Sequence, residues 1–124
     1  MKRSPFTRRQ NKYRAVKTTR DGILFDSKLE SVVYGELQIL QAGGLIKDME
    51  LQKEFVIEVN GKQICIYIAD YFFTIVASGK RCVADAKGFL TDTFRLKWKL
   101  MQALYPQYQY EILKGKKLPG SFFK

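Results

Sequence analysis

The sequence predicts an α/β (α+β) domain, a mixed β-sheet flanked by helices in the order αβββαβ. Three observations lead there. Residues 27 to 42 and 91 to 104 carry apolar side chains at helical spacing. Between them, from Leu45 to Lys87, the apolar period changes to two. A last alternating run, "QYQYEIL", follows the second helix. A length of 124 residues suits one domain with one core, and 46% apolar with 14% aromatic residues argues for a packed interior.

Residues 1 to 20 read as a basic arm. "SPFTRRQNKYRAVKTTRDG" holds Pro, Asn, Thr and Gly punctuation and no sustained period. The first helix, "FDSKLESVVYGELQILQAGG", places Leu29, Val33, Leu37 and Leu40 on one face. Ser27 and Glu30 have capping-box spacing, and Gly43-Gly44 supplies the stop. "LIKDMELQKEFVIEV" is a strand ending at Asn60-Gly61, a two-residue hairpin signal. In the next strand, "KQICIYIADYFFTIV", Ile64, Ile66 and Ile68 share one face, and Cys65, Tyr67 and Ala69 share the other. Both are apolar, as in a central strand.

"ASGK" turns the chain into the third strand, "RCVADAKG". The second helix has Phe94, Trp98, Met101 and Leu104 or Tyr105 as its core face. Arg95, Lys99 and Gln102 form a polar face, Lys97 flanks the core face, and Pro106 ends the helix. Residues 21 to 113 thus form the folded domain, and 114 to 124 a basic tail.

Composition narrows the chemistry. The chain has no histidine, which removes Ser-His-Asp catalysis and His-ligated metals; hard Mg²⁺, or Mn²⁺, would suit the remaining oxygen ligands. Cys65 and Cys82 lie in strand-like runs without metal-binding spacing and read as buried free thiols in a reducing cytosol. No apolar window approaches the ~18 residues of a membrane helix. A net charge of +10 points to a polyanionic partner. The cations cluster at the termini: Arg8, Arg9, Lys12, Arg14 and Lys17 in an arm free of acids, and Lys116 and Lys117 in the tail.

The stretch "VADAKG" puts Asp85 and Lys87 on one face of a strand, because side chains two apart point the same way. A second acid, Asp70, stands in the apolar run "YIADYFF". A buried carboxylate is costly unless something neutralises it. An ion pair with a core cation is one solution. Two acids and a lysine on adjacent strands fit a divalent-cation site better, with Lys87 orienting a water or stabilising a phosphate in flight. Glu30 stays open between helix capping and a third acid at the same site. Gln52 stays open between lining that site and facing solvent.

A helix acid, a strand Asp and then (D/E)-x-Lys on the next strand resembles the PD-(D/E)XK nuclease superfamily. Here these are Glu30, Asp70 and Asp85-Ala86-Lys87, and the resemblance covers about residues 22 to 113. "KYRAVKT", "DGILFDSKLESVVYGELQIL", "GLIKDMELQ", "IADYFF", "DAKG" and "LKWKL" are similar to a family of small phage and prophage proteins often read as endonucleases. The segments carrying Glu30, Gln52 and Asp70 also resemble the catalytic domain of transposon-end-cleaving TnsA-type enzymes. Ala69 stands where the superfamily's name has Pro.

The resemblance implies a restriction-endonuclease-like sheet and Mg²⁺-dependent hydrolysis of DNA phosphodiesters. Asp70 and Asp85 would hold the metal, Glu30 would assist, and Lys87 would be the catalytic lysine. It also implies a phage- or prophage-encoded protein acting in the cytoplasm of a bacterial host. The basic termini would track the DNA backbone, with Arg95, Lys97 and Lys99 flanking the site. No base-reading helix is evident, so a branched substrate such as a four-way junction is expected, and paired cuts suggest a homodimer. A non-catalytic DNA-binding module and a subunit active only in a larger complex are the competing expectations.

Overall fold

The computed structural model describes residues 18–20, 23–25, 27–115 and 117–123. Arg8, Arg9, Lys12, Arg14, Lys17 and Lys116 lie outside the described residues. Two short antiparallel strands, β1 (Thr18–Arg20) and β2 (Ile23–Phe25), precede helix α1 (Lys28–Ala42). Then come β3 (Ile46–Val59), β4 (Lys62–Ile75), β5 (Arg81–Ala86), helix α2 (Asp92–Leu104), β6 (Gln109–Leu113) and a 3₁₀ turn, Gly120–Phe122. The β1–β2 hairpin puts Thr18–Arg20, the last residues of the expected basic arm, in a strand. Its strands are three residues each, too short to show a period.

Strands β3-β4-β5-β6 form one sheet in that order. Its first two pairings are antiparallel, and β5 runs parallel to β6, with α2 as the connection. The sheet is therefore mixed, and the two helices cover opposite faces. Against α1 pack Tyr71, Phe73 and Ile75 of β4 and the small residues Cys82, Ala84 and Ala86 of β5. On the other face Phe55, Ile57, Tyr67, Phe72 and Val83 meet Met101, Phe94 and Trp98 of α2.

Each helix starts on a side-chain cap. Ser27 Oγ accepts from the Glu30 N–H at 3.1 Å, and Thr91 Oγ1 accepts from the Phe94 N–H at 3.1 Å. Gly44 ends α1 at φ +78°, which lets the Leu45 N–H reach the Leu40 carbonyl at 2.9 Å. Asn60 and Gly61 take left-handed φ of 51° and 77°, the two-residue turn their sequence predicts.

Two departures from simple alternation shape the sheet. In β3, Met49 and Leu51 pack towards α1, whereas Phe55 and Ile57 pack towards α2. In β4, Tyr67 and Ala69 face α2, whereas Tyr71 faces α1. Odd-numbered residues therefore change face in both strands between the Lys53↔Ala69 and Leu51↔Tyr71 pairs. Gln52, between Leu51 and Lys53, adopts φ +53°. A left-handed residue breaks the period of two, which no residue-type pattern announces.

The second departure concerns exposure. β4 is central in the sheet, yet Ile64 and Ile66 stay 56% and 38% exposed, so the expectation of two buried faces fails in its first half. The ladder to β5 spans only Tyr71↔Ala84 to Thr74↔Arg81, and residues 62–69 project beyond it with α2 covering one face. Cys65 on this arm is accordingly half-buried, while Cys82 is buried; both thiols are free.

The C-terminal segment is also more than a basic tail. Phe122 is fully buried, edge-on to Phe73 at 5.4 Å between ring centroids, and Leu118 packs on the same core. Two apolar residues among lysines were enough to dock it, a signal outweighed by charge in the sequence.

Candidate metal centre

The fork where β4 leaves β5 is the centre of the site. Strand pairing stops at Tyr71↔Ala84, so Asp70 and Asp85 are the next facing positions. There Asp70 replaces a ladder bond with its side chain: Oδ2 accepts from the Ala86 N–H at 3.0 Å. Gln52 Nε2 approaches Asp70 Oδ1 at 3.5 Å from the third strand. Both acids are buried, Asp85 at 1% exposure and Asp70 at 8%. The two acids that stood out in sequence thus lie at facing positions on adjacent antiparallel strands.

Lys87 extends from the end of β5, held by its N–H to the Leu113 carbonyl at 3.2 Å. Its Nζ lies 4.0 Å from Asp85 Oδ1 and 5.2 Å from the centroid of the Phe94 ring. A cation over an aromatic face is favourable and positions the ammonium above the fork. Asp85 Oδ2 is buried with no hydrogen-bond partner among the described residues. Burial pushes the Asp85 carboxyl up from an ordinary 3.8 to about 7, against the opposite pull of Lys87 and the Asp70 backbone. One oxygen thus faces a cation at the limit of ion-pair distance, and the other is unsatisfied. Such a carboxylate gains from a further positive ligand.

Glu30 is half-buried in the first turn of α1. Its carbonyl accepts from the Tyr71 hydroxyl at 2.5 Å, which ties the helix start to the residue after Asp70. Burial pushes the Tyr71 hydroxyl up strongly, and the charges of Asp70, Glu30 and Glu36 add to the effect. Glu30 therefore belongs to the same electrostatic neighbourhood. Half of the capping box is present, since Ser27 receives the Glu30 N–H. Among the described residues, no three His, Cys, Asp or Glu side chains come together as a ready-made metal cluster. Magnesium needs no such cluster, because it typically takes one or two carboxylates and fills its remaining positions with water and phosphate oxygens. The facing pair Asp70 and Asp85, with one oxygen unsatisfied, fits that donor requirement.

Gln52, left open between lining the site and facing solvent, is exposed, and its amide approaches the Asp70 carboxylate. Arg95 and Lys99 are exposed on α2, and Lys117 is exposed near the C-terminus. Lys97 is turned towards the projecting arm, where its Nζ donates to the Ile66 carbonyl at 3.1 Å. Three participants had no sequence signal: the Tyr71 hydroxyl, the Ala86 N–H and the Phe94 ring. The Tyr71 hydroxyl meets a carbonyl 41 positions away and the Ala86 N–H is a backbone group 16 positions from Asp70, while Phe94, expected only in the core face of α2, meets the nearby Lys87 through its ring.

Residues 10–120 match the family described as "Protein of unknown function (DUF1064)". The chain belongs to this family. No curated protein and no solved structure matches the DUF1064 chain. Among its described residues, no helix is long and apolar enough to cross a membrane.

Proposed function

We propose that this DUF1064 protein is a Mg²⁺-dependent endonuclease that hydrolyses DNA phosphodiesters, with branched DNA as its preferred substrate and a homodimer as its working form. One observation carries the reading: two buried carboxylates face each other where two strands part, with a lysine beside them and Asp85 Oδ2 unsatisfied. A structural ion pair alone does not account for this, since one lysine at 4.0 Å from Asp85 Oδ1 leaves Asp85 Oδ2 buried without a hydrogen-bond partner among the described residues.

Asp70 and Asp85 would hold the metal. When bound, Mg²⁺ lowers the pKa of a coordinated water and offsets charge on the phosphate. The protein's own groups do the rest. The Ala86 N–H and the Gln52 amide keep the Asp70 carboxylate oriented. Lys87 stabilises the negative charge that builds on the phosphoryl oxygens as water adds and the P–O bond to the leaving strand breaks. Glu30, on the helix start tied down by Tyr71, assists in placing the water. Arg95, Lys99 and Lys117, together with the basic arm residues, supply cations for the flanking backbone.

The test is cleavage of labelled linear duplex, single strand, flap and four-way junction with and without Mg²⁺ or Mn²⁺. Metal-dependent cutting, lost in Asp85→Ala while DNA affinity is retained, is the expected result. Full activity in Asp85→Ala would overturn the metal assignment. Binding without cutting by the unsubstituted chain would favour the DNA-binding module or the subunit of a larger machine.

A further inference from the structure

We propose that Arg20 is a preset clamp for a backbone phosphate, seated on α1 against Ser31 and Gly35. The proposal rests on the nucleic-acid reading above and gives one residue of the basic arm a defined seat and role.

The side chain of Arg20 lies across the helix rather than free in solvent. Its Nε donates to Ser31 Oγ at 3.1 Å, and Ser31 is itself buried. One turn later, Nη1 occupies the space of a missing side chain: a Cβ on Gly35 would stand 2.7 Å from it. Ser31 and Gly35 are four apart and share a helix face, so they form the two ends of one seat. Glycine is among the poorest helix formers, and its presence inside α1 calls for a local reason. Accommodation of the guanidinium is that reason.

What the seat leaves over is informative. Only Nε is used by Ser31, and Arg20 as a whole remains exposed. Among the described residues, no carboxylate pairs with it. A planar fork, fixed at its base and open at its tip, suits two phosphate oxygens and loses little side-chain freedom on binding.

The location gives the fork its partner. Arg20 closes a run of eight cations without an acid at the start of the chain. Ser31 follows Glu30, whose carbonyl holds the Tyr71 hydroxyl, and Tyr71 follows Asp70. The seat thus lies on the helix whose first turn is tied to β4 by the Tyr71 hydroxyl, and the clamp would grip a phosphate of the DNA backbone where it passes α1.

The experiment is equilibrium binding of a fluorescent four-way junction by the full chain in metal-free buffer, across a salt series, with thermal midpoints measured alongside. Arg20→Ala is expected to reduce the magnitude of the log K against log salt slope by about 0.9, the loss of one phosphate contact on duplex arms. Arg20→Lys should keep the slope and bind more weakly, because it retains the charge and loses the fork. Gly35→Ala puts a methyl in the seat while favouring the helix, so it should weaken binding without lowering the thermal midpoint. An Arg20→Ala chain with unchanged slope would overturn the proposal, and a lowered midpoint with unchanged slope would assign Arg20 to pinning the hairpin instead. If the unsubstituted chain binds no DNA, the nuclease reading and the clamp both fall. If it binds but never cuts, the slope change still stands as support for the clamp alone.

Discussion

Replacing Asp85 by Asn should stabilise the protein at alkaline pH, and the size of the effect follows from where the carboxyl sits. Burial raises its pKa from 3.8 to about 7. At about 1.36 kcal/mol per pH unit, that displacement corresponds to roughly 4 kcal/mol. The native state keeps the proton up to about pH 7, whereas the unfolded chain releases it near 3.8. Ionisation between those values favours unfolding. The contribution of Asp85 to wild-type stability therefore falls as pH rises from about 4 to about 7 and levels off above that.

The asparagine side chain is nearly isosteric with aspartate and carries no such titration, so the difference between the two proteins isolates this carboxyl. Urea unfolding at pH 4 and pH 8 should show the variant gaining ~2–4 kcal/mol on wild type between the two conditions. In a thermal scan at pH 8 this is roughly 10 °C. Added Mg²⁺ should restore wild-type stability at pH 8, because a ligand of the native state stabilises it in proportion to occupancy, and should do little for Asp85→Asn. A variant that is no more stable than wild type at pH 8, with the same pH dependence, would refute the claim that Asp85 is held charged against the fold.

Two further perturbations probe the scaffold. Gln52→Val forces a β-branched residue into φ +53° and should lose at least ~1 kcal/mol in urea, while Gln52→Gly should hold or gain stability despite losing the amide at Asp70; equal stability of the Val variant would show that the left-handed turn is dispensable. Phe122→Ala removes a fully buried ring from the α1 core and should cost about 3–5 kcal/mol; a change below ~1 kcal/mol would return residues 114 to 123 to the status of a loose tail.

Much of the architecture was legible because it depends on local periodicity. Both helices, with Ser27 and Thr91 at their starts, lie within a residue of where apolar spacing puts them. The same holds for β3, its Asn60-Gly61 turn and β4, whereas β5 ends at Ala86, two residues short of the expected "RCVADAKG", so Lys87 lies just past the strand. The β1–β2 hairpin and the docked Phe122 were not legible. Three-residue strands and an isolated aromatic carry too little pattern to stand out among lysines and arginines.

The site divides along the same line. Asp70, Asp85 and Lys87 stood out in sequence because charge inside an apolar alternation is costly wherever it is buried, a property of residue type and period alone. Composition likewise determined the absence of imidazole chemistry and the excess of positive charge. Only the tertiary structure decided that the strands part at the acids, that Gln52 turns left-handed opposite Asp70, and that a tyrosine hydroxyl ties the helix carrying Glu30 to the next residue. Those facts depend on backbone groups and on contacts 18 and 41 positions apart. One chain read residue by residue holds no record of which donors meet which acceptors at such separations; packing two helices against opposite faces of one twisted sheet settles it.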